Sequence, residues 1–226
     1  MADDDKVFLI TGASSGIGAA TARRAAQDGF RLVLAARSVD KLDALTGELG
    51  GVAVGCDVTH YPDVEALVER ARSEYGRIDV VFANAGVGLA SGFEAGDVEA
   101  AKQMVLINVF GIYATIRATA SALRATKGHL VITSSIAGRR ALKGSLYSAT
   151  KFAVTGMAEA ARQDFNGTGV RTTLISPGMV ETPGFSHDLQ ETLTAEDIAR
   201  SVLWAVAQPP HMDVNEILIR PTAQDS

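Results

Sequence analysis

Val7-Phe8-Leu9-Ile10-Thr11-Gly12-Ala13-Ser14-Ser15-Gly16-Ile17-Gly18 opens on five residues suited to a buried strand, turns through glycine and serine, and enters a helical pattern that runs to Asp28. Gly29 then stands where a helix C-terminal cap is expected. A glycine turn between a strand and a helix lets the backbone bend tightly and approach a phosphate group at the helix N-terminus. Gly12, Ser14, Ser15, Gly16, Ile17 and Gly18 are therefore candidate contacts to a nucleotide. The alternative is a turn needed only for close helix packing, and the spacing differs from the common Gly-x-Gly-x-x-Gly pattern. The flanking strand and helix favour nucleotide binding.

The same alternation continues outward. Strands are expected at Arg31–Ala35, Val52–Cys56, Ile78–Ala83, His129–Thr133, Val170–Ile175 and Glu216–Arg220. Helices are expected at Val39–Leu49, around Val64, Leu67, Val68 and Ala71 up to Gly76, from Val98 to about Ala125 with a bend near Gly111, from Tyr147 to about Phe165, and over Thr194–Ala207. Seven apolar strands alternating with helices imply a doubly wound, Rossmann-type α/β fold: a seven-stranded parallel sheet with helices on both faces. One domain over residues 1–226 is expected. Ligands of such sheets bind beyond the carboxyl ends of the strands, here the segments starting at Gly12, Ala36, Asp57, Asn84, Ser134 and Pro177.

Composition narrows the function. The 226 residues are 47% hydrophobic and 21% charged, with a net charge of -5. The sequence pI is about 5.4. Without a dense Lys/Arg cluster, a nucleic-acid partner is not expected. Cys56 is the only cysteine, so no intramolecular disulfide can form, and a reducing, cytoplasmic location is expected. The stretch Met1-Ala2-Asp3-Asp4-Asp5 is acidic where a signal peptide would be basic, and is expected to be a flexible tail. No stretch is expected to approach the length and apolarity of a membrane span. His60, His129, His187 and His211 lack paired ligand spacing, so no metal is expected.

After the second strand, where an acidic residue would hold the ribose hydroxyls of NAD, stand Ala36, Arg37 and Ser38. A guanidinium and a hydroxyl can instead bind the 2′-phosphate of NADP(H). The alternative is an exposed arginine beside a helix-capping serine. Asp57, followed by Val58, can accept a hydrogen bond from an adenine amino group or can serve only as a turn residue. Asn84-Ala85-Gly86 permits close backbone approach to a nucleoside, or is a plain loop. Tyr147 and Lys151 lie four positions apart and share a helix face. The ammonium is expected to lower the phenol pKa toward a range useful for acid-base catalysis, although such pairs also recur by chance.

Together, Thr11-Gly-Ala-Ser-Ser-Gly-Ile-Gly18, Asn84-Ala-Gly86, Asn108-Val-Phe-Gly111, Ser134-Ser135, Tyr147-x-x-x-Lys151 and Pro177-Gly178 resemble the short-chain dehydrogenase/reductase family over nearly the whole chain. The resemblance implies a nicotinamide-dependent oxidoreductase acting on a small carbonyl or alcohol substrate. It implies that Tyr147 exchanges the substrate proton, Ser135 binds the carbonyl oxygen, Lys151 holds the nicotinamide ribose and tunes Tyr147, and Asn108 supports a water relay. Pro177, Gly178, Met179, Val180 and Thr182 would line the nicotinamide side. The family's habit of assembly implies a homotetramer or homodimer, presented through the helices near residues 98–125 and 147–165.

Two departures stand out. The gap from Ser135 to Tyr147 is one residue shorter than the family pattern, which Ser134 would restore; matching from the strand end still favours Ser135. The stretch Pro183–Leu193 is short where relatives carry a helical lid, and reads equally as loop, mobile lid or open rim. Arg139, Arg140 and Lys143 could attract a carboxylate or could be solvated surface. With Val214–Arg220 they suggest the branch that oxidises serine and other 3-hydroxy acids. The main rival from another class is an NADPH-sensing module of the same fold with little turnover. A methyltransferase is weaker, because its ribose would also want an acidic residue where Ala36 and Arg37 stand.

Overall fold

The computed structural model describes residues 6–88, 92–94, 96–182 and 191–224. The acidic tail, His187 and most of the stretch anticipated as a lid lie outside the described residues. The chain begins with β1 (Val7–Thr11), α1 (Gly16–Gln27), β2 (Arg31–Ala36), α2 (Val39–Leu49), β3 (Val52–Gly55), α3 (Tyr61–Tyr75) and β4 (Val80–Ala83). It continues through α4 (Val98–Val105), a π-helical turn at Leu106–Phe110, and α5 (Gly111–Thr126). Then come β5 (His129–Thr133), a short 3-10 turn at Ile136–Gly138, α6 (Leu146–Asp164) and β6 (Arg171–Pro177). Two-residue strands β7 (Val180–Glu181) and β8 (Leu193–Thr194) precede α7 (Ala195–Val206) and β9 (Glu216–Ile219).

The seven longer strands form one parallel sheet in the order β3-β2-β1-β4-β5-β6-β9. Strand alternation sends neighbouring residues to opposite faces. Val7 and Leu9 join the core formed with α3, the π turn, α5 and α6, whereas Phe8 and Ile10 join the core formed with α1, α2 and α7. Both faces are covered, which explains why the strands read as unbroken apolar runs. The chain reverses its direction of travel between β1 and β4, so the crevice beyond their carboxyl ends is the expected ligand position.

The sequence reading anticipated the seven strands of this sheet but not β7 and β8, which pair through Val180 with Leu193 and Glu181 with Thr194. Pairs this short carry no periodic signal. The expected bend near Gly111 is the π-helical turn that ends beside it. One expectation needs correction. The helical run Val98–Thr126, 29 residues holding an 18-residue window of mean hydropathy 1.3, is by length and composition apolar enough to cross a membrane. Its apolar residues Met104, Ile112 and Leu123 are instead buried within the protein.

Candidate active site

The β1-α1 turn supplies one wall of a cavity of about 780 Å³ at the switch point, lined by Gly12, Ser14, Ser15, Gly16 and Ile17. Gly12 has φ +68, and a Cβ there would stand 2.8 Å from the Ala85 Cα. A Cβ on Gly18 would stand 2.2 Å from the Gly12 carbonyl oxygen. Gly18 is thus absorbed by packing behind the turn and is not among the lining residues, so at that position the packing reading describes the structure. The mouth of α1 itself suits an anion. Ser15 occupies the N-cap without spending its hydroxyl on a capping bond, and no acidic residue lies in the first turn. The positive end of the helix dipole therefore meets the cavity without a competing carboxylate. The turn, the helix mouth and the cavity fit the pyrophosphate of a dinucleotide.

At the end of β2, exposed Arg37 and Ser38 line the same cavity with Lys41, one helical turn further on. Lys41 escaped the sequence reading; its position four residues after Arg37 was the available signal. Ser38 sits at the N-cap of α2 but makes no side-chain capping bond. Cys56, Asp57 and Val58 extend the wall. Asp57 Oδ1 accepts hydrogen bonds from the Thr59 backbone N–H at 2.9 Å and the Thr59 hydroxyl at 2.8 Å. It is a turn-forming residue that also faces the cavity. Burial, then the nearby Asp63 and Asp57 carboxylates, push the Cys56 thiol up to about 12, so it stays protonated.

Asn84 acts as a clamp. Its Nδ2 donates to the carbonyls of Thr11 at 3.2 Å and Gly12 at 3.4 Å, and its Oδ1 accepts from the Thr133 hydroxyl at 3.0 Å. One side chain thus ties the ends of β1, β4 and β5 together. It lines the cavity along with Ala85, Gly86, Val87 and Gly88.

Asn108 lies in the π-helical turn and is only 1% exposed. Such turns are frequent at functional sites. Its Oδ1 accepts from the Val87 N–H at 2.8 Å, and its Nδ2 donates to the Val87 carbonyl at 2.9 Å and to Thr150 Oγ1 at 3.1 Å. It stands behind the cavity wall, joining the loop after β4 to α6, and is not itself among the lining residues.

Ser145 caps α6 by accepting from the Ser148 N–H at 3.1 Å, and Tyr147 and Lys151 follow on the next turn. Both line the cavity, as do Ser134 and Ser135. The two serines differ in direction. Ser134 Oγ bonds the Lys151 carbonyl at 3.3 Å and meets the Thr155 hydroxyl at 3.2 Å, whereas Ser135 Oγ accepts from the Ala137 N–H at 3.1 Å, reaches the Pro177 carbonyl at 3.4 Å and acts on the Tyr147 phenol. Pro177, Gly178, Met179, Val180 and Thr182 complete the wall, joined by Leu142 and Gln224, which the sequence reading did not single out.

The electrostatics correct one expectation. Lys151 Nζ stands 5.6 Å from the Tyr147 ring centroid and donates to the Thr133 carbonyl at 3.1 Å. Burial drives this lysine down to about 8. The phenol, expected to fall, is instead raised: burial dominates, and the Ser135 hydrogen bond only partly offsets it. The distance and the shared burial leave the ammonium no deciding influence in this state.

Arg139, read from sequence either as a carboxylate attractor or as solvated surface, is engaged in an ion pair. Its guanidinium pairs with Glu216 on β9, with Nε to Oε1 at 3.0 Å, and Glu216 Oε1 also accepts from the buried Ser176 hydroxyl at 2.8 Å. Arg139, Arg140 and Lys143 are not among the cavity-lining residues.

A family model described as short chain dehydrogenase matches residues 6–192. An uncharacterized oxidoreductase of Staphylococcus saprophyticus is 39% identical over 229 residues, covering 96% of this chain and 97% of that protein. Among solved structures, the closed form of serine dehydrogenase complexed with NADP+ superimposes with a TM-score of 0.93 at 29% identity, covering 97% of this chain and 96% of that one. The 3-ketoacyl-(acyl-carrier-protein) reductase from Brucella melitensis complexed with NADH gives a TM-score of 0.90 at 26% identity, covering 96% and 98%. With its parallel seven-stranded sheet, its glycine turn and its Ser, Tyr and Lys on one cavity, the chain belongs to the short-chain dehydrogenase/reductase family of oxidoreductases.

Proposed function

We propose that the protein is an NADP(H)-dependent oxidoreductase that interconverts a carbonyl and a secondary alcohol, with residues 1–226 forming a single domain that both binds the dinucleotide and catalyses. The observation that carries this reading is that Ser135, Tyr147 and Lys151 line the same cavity as the glycine turn and the Arg37, Ser38 and Lys41 group. Ser14, Ser15, Gly16 and Ile17 would hold the pyrophosphate, Asp57 and Val58 the adenine, and Lys151 the nicotinamide ribose. Ala85 and Gly86 would pass close to the nucleoside, and Pro177, Gly178, Val180 and Thr182 would flank the nicotinamide. Arg37, Ser38 and Lys41 favour the 2′-phosphate of NADP because Ala36, Arg37 and Ser38 stand at the end of β2 in place of an acidic residue that would bind the ribose hydroxyls of NAD. The nucleotides bound in the solved relatives differ, so the NADP reading rests on these residues.

When bound in this cavity, the nicotinamide would supply or accept the hydride. Ser135 donates a hydrogen bond to the substrate oxygen, and Tyr147 delivers the proton that this oxygen needs in reduction. The raised phenol pKa keeps Tyr147 protonated near neutrality, which suits carbonyl reduction; alcohol oxidation needs the phenolate and gains as pH rises. Asn108 supports this side by holding the loop after β4 against α6. The likeness to serine dehydrogenase extends the substrate reading to 3-hydroxy acids beside small ketones. A cytoplasmic location and a homodimer or homotetramer complete the proposal. Tyr113 on α5 and Phe152 on α6, 51% and 46% exposed, give the helices apolar contact points for a second copy.

The test is a panel of ketones, secondary alcohols and 3-hydroxy acids followed by nicotinamide absorbance, with NADPH and NADH compared. Turnover with a preference of about tenfold or more for NADPH is expected, because a charge-assisted phosphate contact contributes roughly 1.5–3 kcal/mol. Arg37→Asp should reverse the preference. An unchanged cofactor ratio in that variant would defeat the NADP assignment.

A further inference from the structure

The wall that follows β6 is held from three directions. The Gly178 N–H donates to the Ile219 carbonyl on β9 at 2.7 Å, and the Met179 carbonyl accepts from the Leu193 N–H at 3.0 Å. The third hold comes from a side chain: the Met179 N–H donates to Gln224 Oε1 at 3.0 Å, 45 residues away in sequence. Gln224 belongs to the short segment after β9, where its own N–H donates to the Pro221 carbonyl at 3.1 Å and closes a turn. The fit is close, since a Cβ on Gly178 would stand 2.2 Å from Gln224 Oε1. Gln224 also lines the cavity that holds Tyr147 and Ser135.

We propose that Gln224 is a positioning residue for the nicotinamide half of the cofactor: its carboxamide oxygen fixes the Met179 backbone, and so sets the wall formed by Pro177 to Val180. Two local features make a side-chain tether necessary there. The β7-β8 pair that continues the wall is only two residues long on each side, and Gly178 contributes no side chain of its own to brace the turn. An amide oxygen fixed by a turn supplies the acceptor that the Met179 N–H would otherwise lack within the protein. The inference rests on the cofactor reading above and adds a residue to it.

The test compares Gln224→Leu, which removes the acceptor, with Gln224→Glu, which keeps an oxygen acceptor at the same reach. Three readouts are taken on the full chain: NADPH affinity, affinity for adenosine 2′,5′-bisphosphate, and amide hydrogen exchange at Met179 without nucleotide. Gln224→Leu should weaken NADPH binding about fivefold, the effect of one lost neutral hydrogen bond. It should leave the bisphosphate, which lacks the nicotinamide half, unchanged, and should speed Met179 exchange. Gln224→Glu should restore NADPH binding to within about twofold and slow the exchange again. Equal loss for both nucleotides would mean general damage to the fold and would overturn the proposal, as would wild-type NADPH affinity in Gln224→Leu. If the wild-type protein binds neither NADPH nor the bisphosphate, the cofactor reading itself fails and this inference falls with it.

Discussion

Ser134 and Ser135 occupy adjacent positions at the end of β5, yet their hydroxyls meet different partners. Ser134 is spent on the α6 backbone and Thr155, while Ser135 meets the Tyr147 phenol. Ser135→Ala should therefore lower turnover about 10²-fold, the usual cost of removing a donor to a reacting oxygen. Ser134→Ala should leave turnover within a few fold and reduce stability by about 1 kcal/mol, through its lost buried hydrogen bonds. Steady-state rates and denaturant midpoints on the two variants check this, and a larger rate loss at Ser134 would reverse the assignment. Counting residues from Tyr147 or from the strand end gave opposite answers, because sequence spacing does not record which way a hydroxyl points. Arg139 was opaque for a related reason: its partner Glu216 lies 77 positions away, on a strand brought alongside only by folding. Gln224 went unread because its bond to Met179 likewise joins distant segments.

At the scale of elements, the seven sheet strands were legible because burial on both faces writes them as continuous apolar runs. The π-helical turn within the Val98–Thr126 run was visible only as an expected bend, since the apolar spacing on either side of it remains helical. His129, at the head of β5, is a buried polar residue inside one of these runs. Its Nε2 meets the Thr173 hydroxyl at 2.7 Å; that hydroxyl donates to the Val214 carbonyl at 2.6 Å, so Nε2 carries the proton and Nδ1 is left buried without a partner among the described residues. Burial, with a smaller contribution from Arg171, drives its pKa from 6.5 down to about 3. The folded protein thus keeps the ring neutral while the unfolded chain takes up a proton below pH 6.5. The stabilising contribution is complete above pH 6.5 and is lost progressively as pH falls toward about 3. Between those limits the slope from this one group is about 1.4 kcal/mol per pH unit. His129→Leu should flatten the decline in unfolding free energy between pH 6 and pH 4 by about that slope, as measured by denaturant titration at several pH values. A variant that declines in parallel with wild type would show that this histidine is not buried neutral.

Across the whole molecule, parallel strand order brings residues from six separate strand ends to one crevice, and this is why short motifs scattered from Gly12 to Thr182 could be read together. Sequence alone anticipated that convergence but not its electrostatic balance. The depth at which the fold buries Tyr147 and Lys151 raises the phenol and lowers the amine, the reverse of what an isolated helical pair in water suggests for the phenol. The central claim is that this cavity transfers a hydride with Tyr147 moving the proton. NADPH binding and NADPH-dependent carbonyl reduction, measured side by side in wild type and Tyr147→Phe, test it most directly. The expected result is binding within about twofold of wild type with turnover reduced roughly 10²- to 10⁴-fold, the range assigned to a general acid; near-wild-type turnover in Tyr147→Phe would contradict it.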